Sequence, residues 1–361
     1  MLLGEVPIAV DSFGHSHSGQ QLLFFCSHAH EDHLSGLSAS WKCGVVHCSP
    51  VTARFLGLRW PELVPRLRPL ELGTVHTLTL GSSEDVPRVE VMLVDANHVP
   101  GAVMFVFSGY FGTLLHTGDF RLHADHAHLG ALPLLRRRLT RVYVDNTFCH
   151  PSFAQPPREE VVERILEEVA GKWPCILFVS VYKVGKELLL EALARRLKTR
   201  VLVSEPRIRA LEISGLSGDD FAVEPCAPEV AFEQDLRRLS VRGCVWAVGR
   251  KQLRPALWRA MSNAAPSHGI VPTGWSELDG GDAEISDDGV QQFPYSDHCS
   301  FLELVQFLSW LPAAPVTFLT PLPRPSAKFG YDGLEGVDSL LDHSGVPSVA
   351  YQAAAGGAQG S

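Results

Sequence analysis

Four side chains that can bind a metal ion stand within six consecutive residues. They are His28, His30, Asp32 and His33, in the segment SHAHEDH that directly follows the apolar run LLFFC. If the chain is extended there, His28, His30 and Asp32 point the same way, while His33 turns back beside Asp32. A single tetrahedral ion could not readily bind all four from so short a loop, so the spacing favours two adjacent metal ions over a solvated polar loop.

Two further residues of this kind follow apolar runs later in the chain. His98 comes after VEVMLVDAN, and Asp119 lies in the turn HTGD that follows GTLL. Each residue alone is weak evidence for a metal site, because an Asp after Gly is usually a turn residue and a single His is usually a surface or core residue. Together with the first loop they have the order of a dinuclear metal site in which Asp119 bridges the two ions.

The composition narrows the classes of protein to which the chain can belong. Its 361 residues carry a net charge of -9 from 31 basic and 40 acidic residues, which excludes a broad basic surface that holds nucleic acid by charge alone. Eight cysteines without a C-x-x-C pair predict reduced thiols in a cell interior. No apolar run approaches about 18 residues, so we expect a soluble chain without a membrane span.

Short apolar runs separated by polar turns occupy the first 150 residues, and this pattern predicts β-strands. The hairpin-like segment SGYFG at 108–112 predicts that neighbouring strands pair antiparallel, with one face on a core. The predicted strands cover residues 21–26, 89–94, 104–107, 112–116 and 141–144.

A helical period replaces this pattern from residue 157 onward. The segment REEVVERILEEVAG predicts a helix, and it is followed by the strand PCILFVS, a helix over 183–200, the strand RVLVS and a helix from Pro206. Alternation of this kind predicts a parallel three-layer α/β unit. The apolar stripe of the first helix consists of Val161, Val162, Ile165, Leu166 and Val169.

The last third of the chain is less regular. CVWAV at 244–248 predicts a strand, and CSFLELVQFLSWL at 299–311 predicts a helix. An acidic, glycine-rich loop covers 276–289, and we expect the low-complexity tail at 353–361 to be disordered.

Seven ordered motifs resemble those of one family. HAHEDH (28–33), DANHVPGAV (95–103) and HTGDF (116–120) resemble the metal motifs of the metallo-β-lactamase fold. DNTFCHP (145–151), YKVGKE (182–187), PTGW (272–275) and YSDHCSF (295–301) resemble its β-CASP nuclease branch. Within that branch the similarity is to DNA cross-link-repair and end-processing nucleases, and the first 150 residues are most similar to the Apollo-like 5′ exonucleases.

The resemblance implies an α/β fold: a metallo-β-lactamase αββα sandwich with an inserted three-layer α/β β-CASP domain. The sandwich would comprise residues 1–155 and 290–350, and the β-CASP domain residues 156–289. One departure concerns the second β-CASP motif, which commonly has a histidine on an apolar strand. The best match here has Trp246, so either the placement is shifted or that histidine is absent.

The resemblance also implies roles for individual residues. One metal ion would be bound by His28, His30, His98 and Asp119, and a second by Asp32, His33, Asp119 and His298. Asp145 is expected to orient a metal-binding histidine, unless it only initiates a turn, and Asp32 or Asp297 could move protons. Imidazole and carboxylate ligands without thiolate favour two zinc ions, with manganese or iron open at one site. The expected catalytic residues are Asp32, Asp119, Asp145 and His298.

The segment YKVGKE precedes a predicted helix, whose first N–H groups would stabilise a phosphate. The resemblance implies that Tyr182, Lys183, Gly185 and Lys186 hold a terminal 5′-phosphate, with Thr273 and Gly274 as a second phosphate contact. Ordinary helix capping and a simple turn are the alternatives. Basic stretches at 136–138, 194–200 and 250–259 are candidate DNA-backbone tracks or solvated helix faces, and Trp258 with Arg259 could stack on a single strand.

The predicted function is metal-dependent hydrolysis of DNA phosphodiester bonds, with water attacking in line and the phosphate left on the 5′ carbon. A 5′-phosphate pocket would make the enzyme a 5′-to-3′ exonuclease. The resemblance implies a role in interstrand cross-link repair or end processing and a location in the nucleus. The substrate would be single-stranded DNA or DNA 5′ ends. The sequence does not identify protein partners. The alternatives are an RNA-processing β-CASP nuclease, a small-molecule metallohydrolase and a non-catalytic scaffold that keeps the fold.

Overall fold

The computed structural model describes residues 1–14, 17, 19, 21–80, 87–182, 184–216, 218–224, 231, 233–275, 284–285, 290–319 and 340. The chain divides into two compact units, which we call the two-sheet unit (Met1–Ala154 and His298–Ser361) and the three-layer unit (Gln155–Asp297). Strands and helices are numbered in chain order. The predicted disordered tail at 353–361 lies outside the described residues, as does the acidic loop at 276–289 except for 284–285.

The two-sheet unit contains one parallel and one mixed β-sheet. The parallel sheet has the order β1 (Ile8–Val10), β2 (Leu23–Phe25), β3 (Val46–Cys48) and β4 (Leu67–Pro69). The mixed sheet has the order β17 (Val316–Phe318), β9 (Leu139–Val144), β8 (Gly112–His116), β7 (Val103–Gly109), β6 (Arg88–Asp95) and β5 (Val75–Thr79). Strands β5 to β8 are antiparallel, whereas β9 pairs parallel with β8 and β17. The helices of this unit are α1 (Pro50–Arg59) and α7 (Phe301–Ser309).

The main core of this unit lies between its two sheets. The ring of Phe25 contacts those of Phe105 and Phe107, with centroid distances of 5.2 and 4.8 Å. Phe24 points to the opposite face of β2, where its ring lies 5.1 Å from that of Trp41 in the cluster that also buries α1. Because neighbouring β2 side chains face opposite ways, the parallel sheet is covered on both sides.

Helix α7 packs against the segment that follows β8. The ring centroid of Phe307 lies 4.6 Å from that of Phe120, and the Arg121 side chain pairs with Glu303 at 2.9 Å. The helix begins at a capping box, in which the Ser300 hydroxyl accepts from the Glu303 N–H and the Glu303 carboxylate accepts from the Ser300 N–H. The αββα sandwich expected from the resemblance is confirmed.

All five strands predicted for this region occur, but the prediction of antiparallel pairing is only partly correct. It holds for β6, β7 and β8, whereas β2 belongs to the parallel sheet and β9 pairs parallel with β8. An alternation with period two is the same in both kinds of sheet, so a local pattern cannot distinguish them. Strands β1, β3 and β4 and helix α1 were not predicted.

The three-layer unit is an open, mostly parallel sheet with helices on both faces. Its strands have the order β12 (Phe221–Val223), β11 (Val201–Val203), β13 (Cys244–Val248), β10 (Ile176–Ser180), β14 (Ser267–Pro272), β16 (Val290–Phe293) and β15 (Glu284–Ile285). All pairs are parallel except that of β15 with β16. The helices are α2 (Arg158–Ala170), α3 (Glu187–Leu197), α4 (Glu205–Ser214), α5 (Glu233–Arg242) and α6 (Pro255–Ala264).

The central strand β10 shows how the three layers are held together. Leu177 and Val179 belong to the core that buries α2 and α3, while Ile176 and Phe178 belong to the core that buries α5 and α6. The parallel three-layer prediction is therefore confirmed. The predicted apolar stripe of α2 is buried except for Leu166, which is partly exposed.

Two tryptophans of this unit are core residues. Trp258 is 3% exposed and its ring meets that of Phe178 edge-on, so the prediction that it stacks on a DNA strand is wrong. Trp246 is completely buried in β13, and its Nε1–H donates to Glu224 Oε2 at 2.7 Å.

The seven cysteines among the described residues are all free thiols. Within the part of the chain that the structure describes, no helix has the length and apolarity that crossing a bilayer requires.

Candidate metal centre

Three of the predicted ligands lie three residues beyond the end of a strand. His28 follows β2, which ends at Phe25; His98 follows β6, which ends at Asp95; and Asp119 follows β8, which ends at His116. Gly118, just before Asp119, has φ +54°, and a Cβ there would lie 2.9 Å from Ser27 Cβ. A residue without a side chain is needed for this close approach of the two loops.

The carboxylate of Asp119 is the meeting point of the predicted ligands. Its Oδ2 lies 3.2 Å from His33 Nε2 and 3.7 Å from both His28 Nε2 and His98 Nε2. His98 Nε2 also lies 3.3 Å from His30 Nδ1. The structure therefore brings together five of the residues predicted from the sequence.

The donor set fits a divalent metal ion. One ligand atom from each of His28, His30, His98 and Asp119 lies within 4.8 Å of all the others. Metal–ligand bonds of about 2.1 Å in a tetrahedron would separate ligand atoms by about 3.4 Å, close to the observed spacings. His28 Nε2 is buried and has no hydrogen-bond partner among the described residues. A buried, unpaired nitrogen that faces a carboxylate is costly unless it binds an ion.

Asp145 forms a hydrogen bond with the Nδ1 atom of His298. His298 Nδ1 lies 2.8 Å from Asp145 Oδ2, and the two rings of His98 and His298 lie 4.7 Å apart. Asp145 is 2% exposed, and its Oδ1 accepts hydrogen bonds from the Thr147 N–H and hydroxyl. One ligand atom from each of Asp119, Asp145 and His298 also lies within 4.8 Å of the others.

Asp11 forms the equivalent hydrogen bond with His33. The sequence did not lead us to predict this residue. Its Oδ2 lies 2.9 Å from His33 Nδ1, and its carboxylate accepts from both the N–H and the hydroxyl of Ser27. The Ser27 hydroxyl in turn lies 2.9 Å from His28 Nδ1. The only signal in the sequence is a carboxylate directly after the apolar run IAV.

Asp32 lies at the solvent edge of this cluster. Its carboxylate is 79% exposed and its Oδ2 lies 3.7 Å from His33 Nε2. It belongs to neither group of atoms that could share one ion. Among the residues predicted to bind the second metal ion, Asp32 thus has the most exposed side chain.

The residues predicted for the phosphate pocket have other contacts in the three-layer unit. The Gly185 N–H donates to both carboxylate oxygens of Glu187 at 2.9 Å, and Lys186 Nζ pairs with Asp297 Oδ2 at 3.0 Å. Helix α3 begins at Glu187, later than predicted, and Lys186 has φ +65°. Tyr182 is 71% exposed. Thr273 accepts from the Trp275 N–H and Gly274 O accepts from the side chain of Gln155, while Lys183 lies outside the described residues.

Comparison with known proteins agrees with this geometry. The sequence profile of the family described as DNA repair metallo-beta-lactamase matches residues 256–318. The proteins named 5′ exonuclease Apollo from Rattus norvegicus and Gallus gallus are 33% and 35% identical over 348 and 305 residues. The first match covers 95% of this chain and 59% of that protein, and the second covers 84% and 60%.

A plant protein, DNA cross-link repair protein SNM1 from Arabidopsis thaliana, is 30% identical over 327 residues, which cover 84% of this chain and 62% of that protein. These matches support membership of the chain in the DNA repair metallo-β-lactamase family. It spans about three fifths of the length of these relatives.

A solved structure has a fold similar to that of this chain. The crystal structure of a protein of unknown function from Enterococcus faecalis V583 has a TM-score of 0.51 at 15% identity. The match covers 83% of this chain and 75% of that one. At such low identity the likeness concerns the fold alone.

Burial and neighbouring charges shift the pKa values of three of the predicted metal ligands. Burial, and then the nearby His33, lowers the pKa of His28 well below its usual value, so this imidazole is neutral as a metal ligand must be. Burial alone would raise the pKa of Asp119, but His33 and His298 hold it well below its usual value. Burial alone would lower the pKa of His33, but Asp119 and Asp11 raise it well above its usual value.

Proposed function

We propose that this chain is a metal-dependent DNA nuclease that hydrolyses phosphodiester bonds from a 5′ end. The observation that carries the proposal is the position of Asp119 Oδ2, within 3.7 Å of the Nε2 atoms of His28, His33 and His98. The names of the relatives, 5′ exonuclease Apollo and DNA cross-link repair protein, support DNA as the substrate. They also support a role in interstrand cross-link repair or end processing and a location in the nucleus.

Two divalent metal ions, most suitably zinc with manganese or iron as options at one site, would supply the attacking water and neutralise charge on the phosphate. The side chains of the protein would bind the two ions and fix their positions. His28, His30, His98 and Asp119 would bind one ion, and His33 and His298 would join Asp119 around the other. Because Asp11 and Asp145 bind the Nδ1 atoms of His33 and His298, they orient the Nε2 atoms and raise their basicity.

Asp32 is the better of the two carboxylates for accepting a proton from the attacking water. Its side chain is 79% exposed, so a proton can leave to solvent. Asp297, the other candidate, forms ion pairs with Lys186 and with Arg158 at 3.0 and 3.2 Å, and both favour its charged form. Asp32 also stays a predicted ligand of the second metal ion, with its Oδ2 3.7 Å from His33 Nε2.

The proposed 5′-phosphate pocket draws support from two cationic side chains. Lys186 and Arg158 both pair with the carboxylate of Asp297, at 3.0 and 3.2 Å. The Lys186 ammonium also lies 4.9 Å from the ring centroid of Tyr295. A terminal phosphate could bind there, although Glu187 already accepts from the Gly185 N–H. Lys183, Thr273 and Gly274 stay predicted contacts of the same kind.

We also propose that residues 1–155 and 290–350 form the metallo-β-lactamase domain and residues 156–289 the β-CASP domain. The division into the two-sheet and three-layer units supports the boundary near residue 155, whereas the three-layer unit extends to Asp297, so that β16 belongs to it and the second boundary lies later than 290.

The proposal is tested by cleavage of matched single-stranded oligonucleotides that carry a 5′-phosphate or a 5′-hydroxyl, with the Asp32→Ala variant as the control. We expect the wild type to shorten the 5′-phosphorylated DNA from its 5′ end and the variant to be far slower. Equal rates for wild type and variant would refute the catalytic assignment. Equal cleavage of the 5′-phosphorylated and the 5′-hydroxyl oligonucleotides would refute the 5′-phosphate pocket. Faster cleavage of a matched RNA would show that RNA is the preferred substrate.

A further inference from the structure

An open pocket of about 330 Å³ lies beside the end of β13 in the three-layer unit. A short 3₁₀ turn, Arg250–Leu253, follows that strand and leads into α6. The turn and the residue after it place three exposed cations around the pocket, namely Arg250, Lys251 and Arg254. A volume of this size is within the range of ligand pockets, about 300–1,000 Å³.

These three cations differ from several exposed arginines of the same unit that form ion pairs. Arg196 pairs with Glu163, Arg209 with Glu205 and Arg237 with Glu233. Among the described residues, by contrast, no carboxylate lies within ion-pair distance of Arg250, Lys251 or Arg254. The pocket therefore has a positive charge that the protein does not neutralise with its own described side chains.

Such a cluster is unfavourable without a ligand, because like charges around one cavity repel each other. It lies where the chain leaves a parallel strand at its carboxyl end, which is where open α/β sheets bind ligands. Several cations around one cavity suit a ligand with several negative charges at regular spacing, and the phosphodiester backbone of a nucleic acid is such a ligand.

The floor of the pocket is apolar. Leu253, Val271 and Val290 line it and belong to the core on the α6 face of the sheet, and Gln292 adds a half-buried amide. An apolar floor can contact sugars and unpaired bases. In a duplex the bases are stacked inside the helix and only their edges reach the grooves, so this floor suits a single strand better.

We propose that this pocket binds the backbone of a single DNA strand, at a subsite on the three-layer unit that is additional to the metal centre. The inference rests on the proposed nuclease function, since it names how the same substrate is held. Arg250, Lys251 and Arg254 contact phosphates, the apolar floor contacts sugar or base, and the site carries no sequence preference.

The experiment measures binding of a labelled oligodeoxythymidylate strand by fluorescence anisotropy over a series of salt concentrations. Every protein is the full chain and carries Asp32→Ala to prevent cleavage during the measurement. The pocket variant is Arg250→Gln/Lys251→Gln/Arg254→Gln. The matched control is Arg196→Gln/Arg209→Gln/Arg237→Gln, which removes three positive charges from paired, exposed positions of the same unit.

We expect the pocket variant to decrease the slope of log affinity against log salt by about 2, because each lost phosphate contact on a single strand removes about 0.7. Its Kd near 0.1 M salt should rise by on the order of tenfold or more, with an unchanged thermal midpoint. The control should leave slope and Kd almost unaltered. A blunt duplex of the same length should show the smaller defect.

An unaltered slope in the pocket variant would overturn the proposal, and so would an equal decrease in both variants, which would reflect overall charge alone. A defect as large on the duplex would overturn the assignment to a single strand. Failure of the nuclease proposal is distinguishable: the protein without Asp32→Ala would then leave DNA intact while the salt slopes still separated the two variants.

Discussion

His298 Nδ1 lies 2.8 Å from Oδ2 of Asp145, a carboxylate that is almost completely buried directly after strand β9. The other oxygen of Asp145 accepts two hydrogen bonds from Thr147, so the carboxylate cannot rotate away from the imidazole. Asp11 and His33 repeat this relationship in the same unit at 2.9 Å. Two buried carboxylates thus determine the orientation of two of the proposed metal ligands.

Asp145→Asn should decrease metal affinity and the rate of DNA hydrolysis by about 10- to 100-fold, because a neutral amide supports the His298 imidazole less well. The measurement is bound metal by mass spectrometry together with kcat on a single strand. Thr147→Val removes one hydroxyl donor to the same carboxylate and should cause a smaller decrease. Full activity and full metal content in Asp145→Asn would show that the contact is only structural.

Asp11→Asn tests the second carboxylate. Asn tolerates the left-handed backbone of Asp11, which has φ +49°, so the substitution keeps the turn. We expect a loss of about one bound metal ion per chain and a stability decrease of about 1–3 kcal/mol, since the buried contacts to Ser27 and His33 weaken. Asp125→Asn is the matched control, because Asp125 is 87% exposed and pairs with the neighbouring His123 at 3.3 Å. Equal effects of the two substitutions would contradict the assignment.

The sequence allowed some of these relationships to be predicted because the cause is local. A polar residue just after an apolar run lies at a strand end, and this reasoning selected His98 and Asp119, whereas Asp145 was selected by the resemblance of DNTFCHP to a β-CASP motif. It could not select Asp11, because the contact with His33 depends on the parallel pairing of β1 with β2, which an alternating pattern does not reveal.

The phosphate pocket shows a second limit of the sequence. A glycine before a helix predicts a free N–H group, but the side chain of Glu187 folds back and accepts from Gly185. The position of nearby side chains, and not the sequence motif, decides which acceptor binds a given N–H group. Trp258 shows the same limit, since an aromatic residue beside basic ones can equally be a core residue.

His116 should make folding stability depend on pH. It is buried, its Nδ1 accepts from the Gly118 N–H, and burial lowers its pKa to about 3 from 6.5. The unfolded chain therefore binds a proton that the folded chain excludes. Stability is fully present above about pH 6.5 and is lost, by about 1.4 kcal/mol per pH unit, as the pH falls towards 3.

His116→Asn offers a neutral acceptor to Gly118 that cannot titrate. In urea denaturation at several pH values below about 6.5, the variant should lose about 1.4 kcal/mol less per pH unit than the wild type. If both proteins lose stability with the same slope, His116 is not a neutral buried residue.

Trp246 should be a structural residue, although the family resemblance leads one to expect a histidine there. Trp246→Phe removes the donor to Glu224 and leaves a small cavity, so we expect a stability decrease of about 1–3 kcal/mol. Metal content and kcat should not change. Glu224→Gln retains an oxygen acceptor and should cost less. A large decrease in kcat without loss of stability in Trp246→Phe would indicate a role in positioning the substrate.

The central claim is that a two-metal centre built around Asp119 hydrolyses DNA. Its most direct test is a titration of chelator-treated protein with zinc, in which bound metal and cleavage of a 5′-phosphorylated single strand are measured together for the wild type and Asp119→Ala. The account predicts that wild-type cleavage is restored as about two ions bind per chain, and that the variant stays inactive. Binding of less than about one ion by the wild type, or equal cleavage by both proteins, would contradict it.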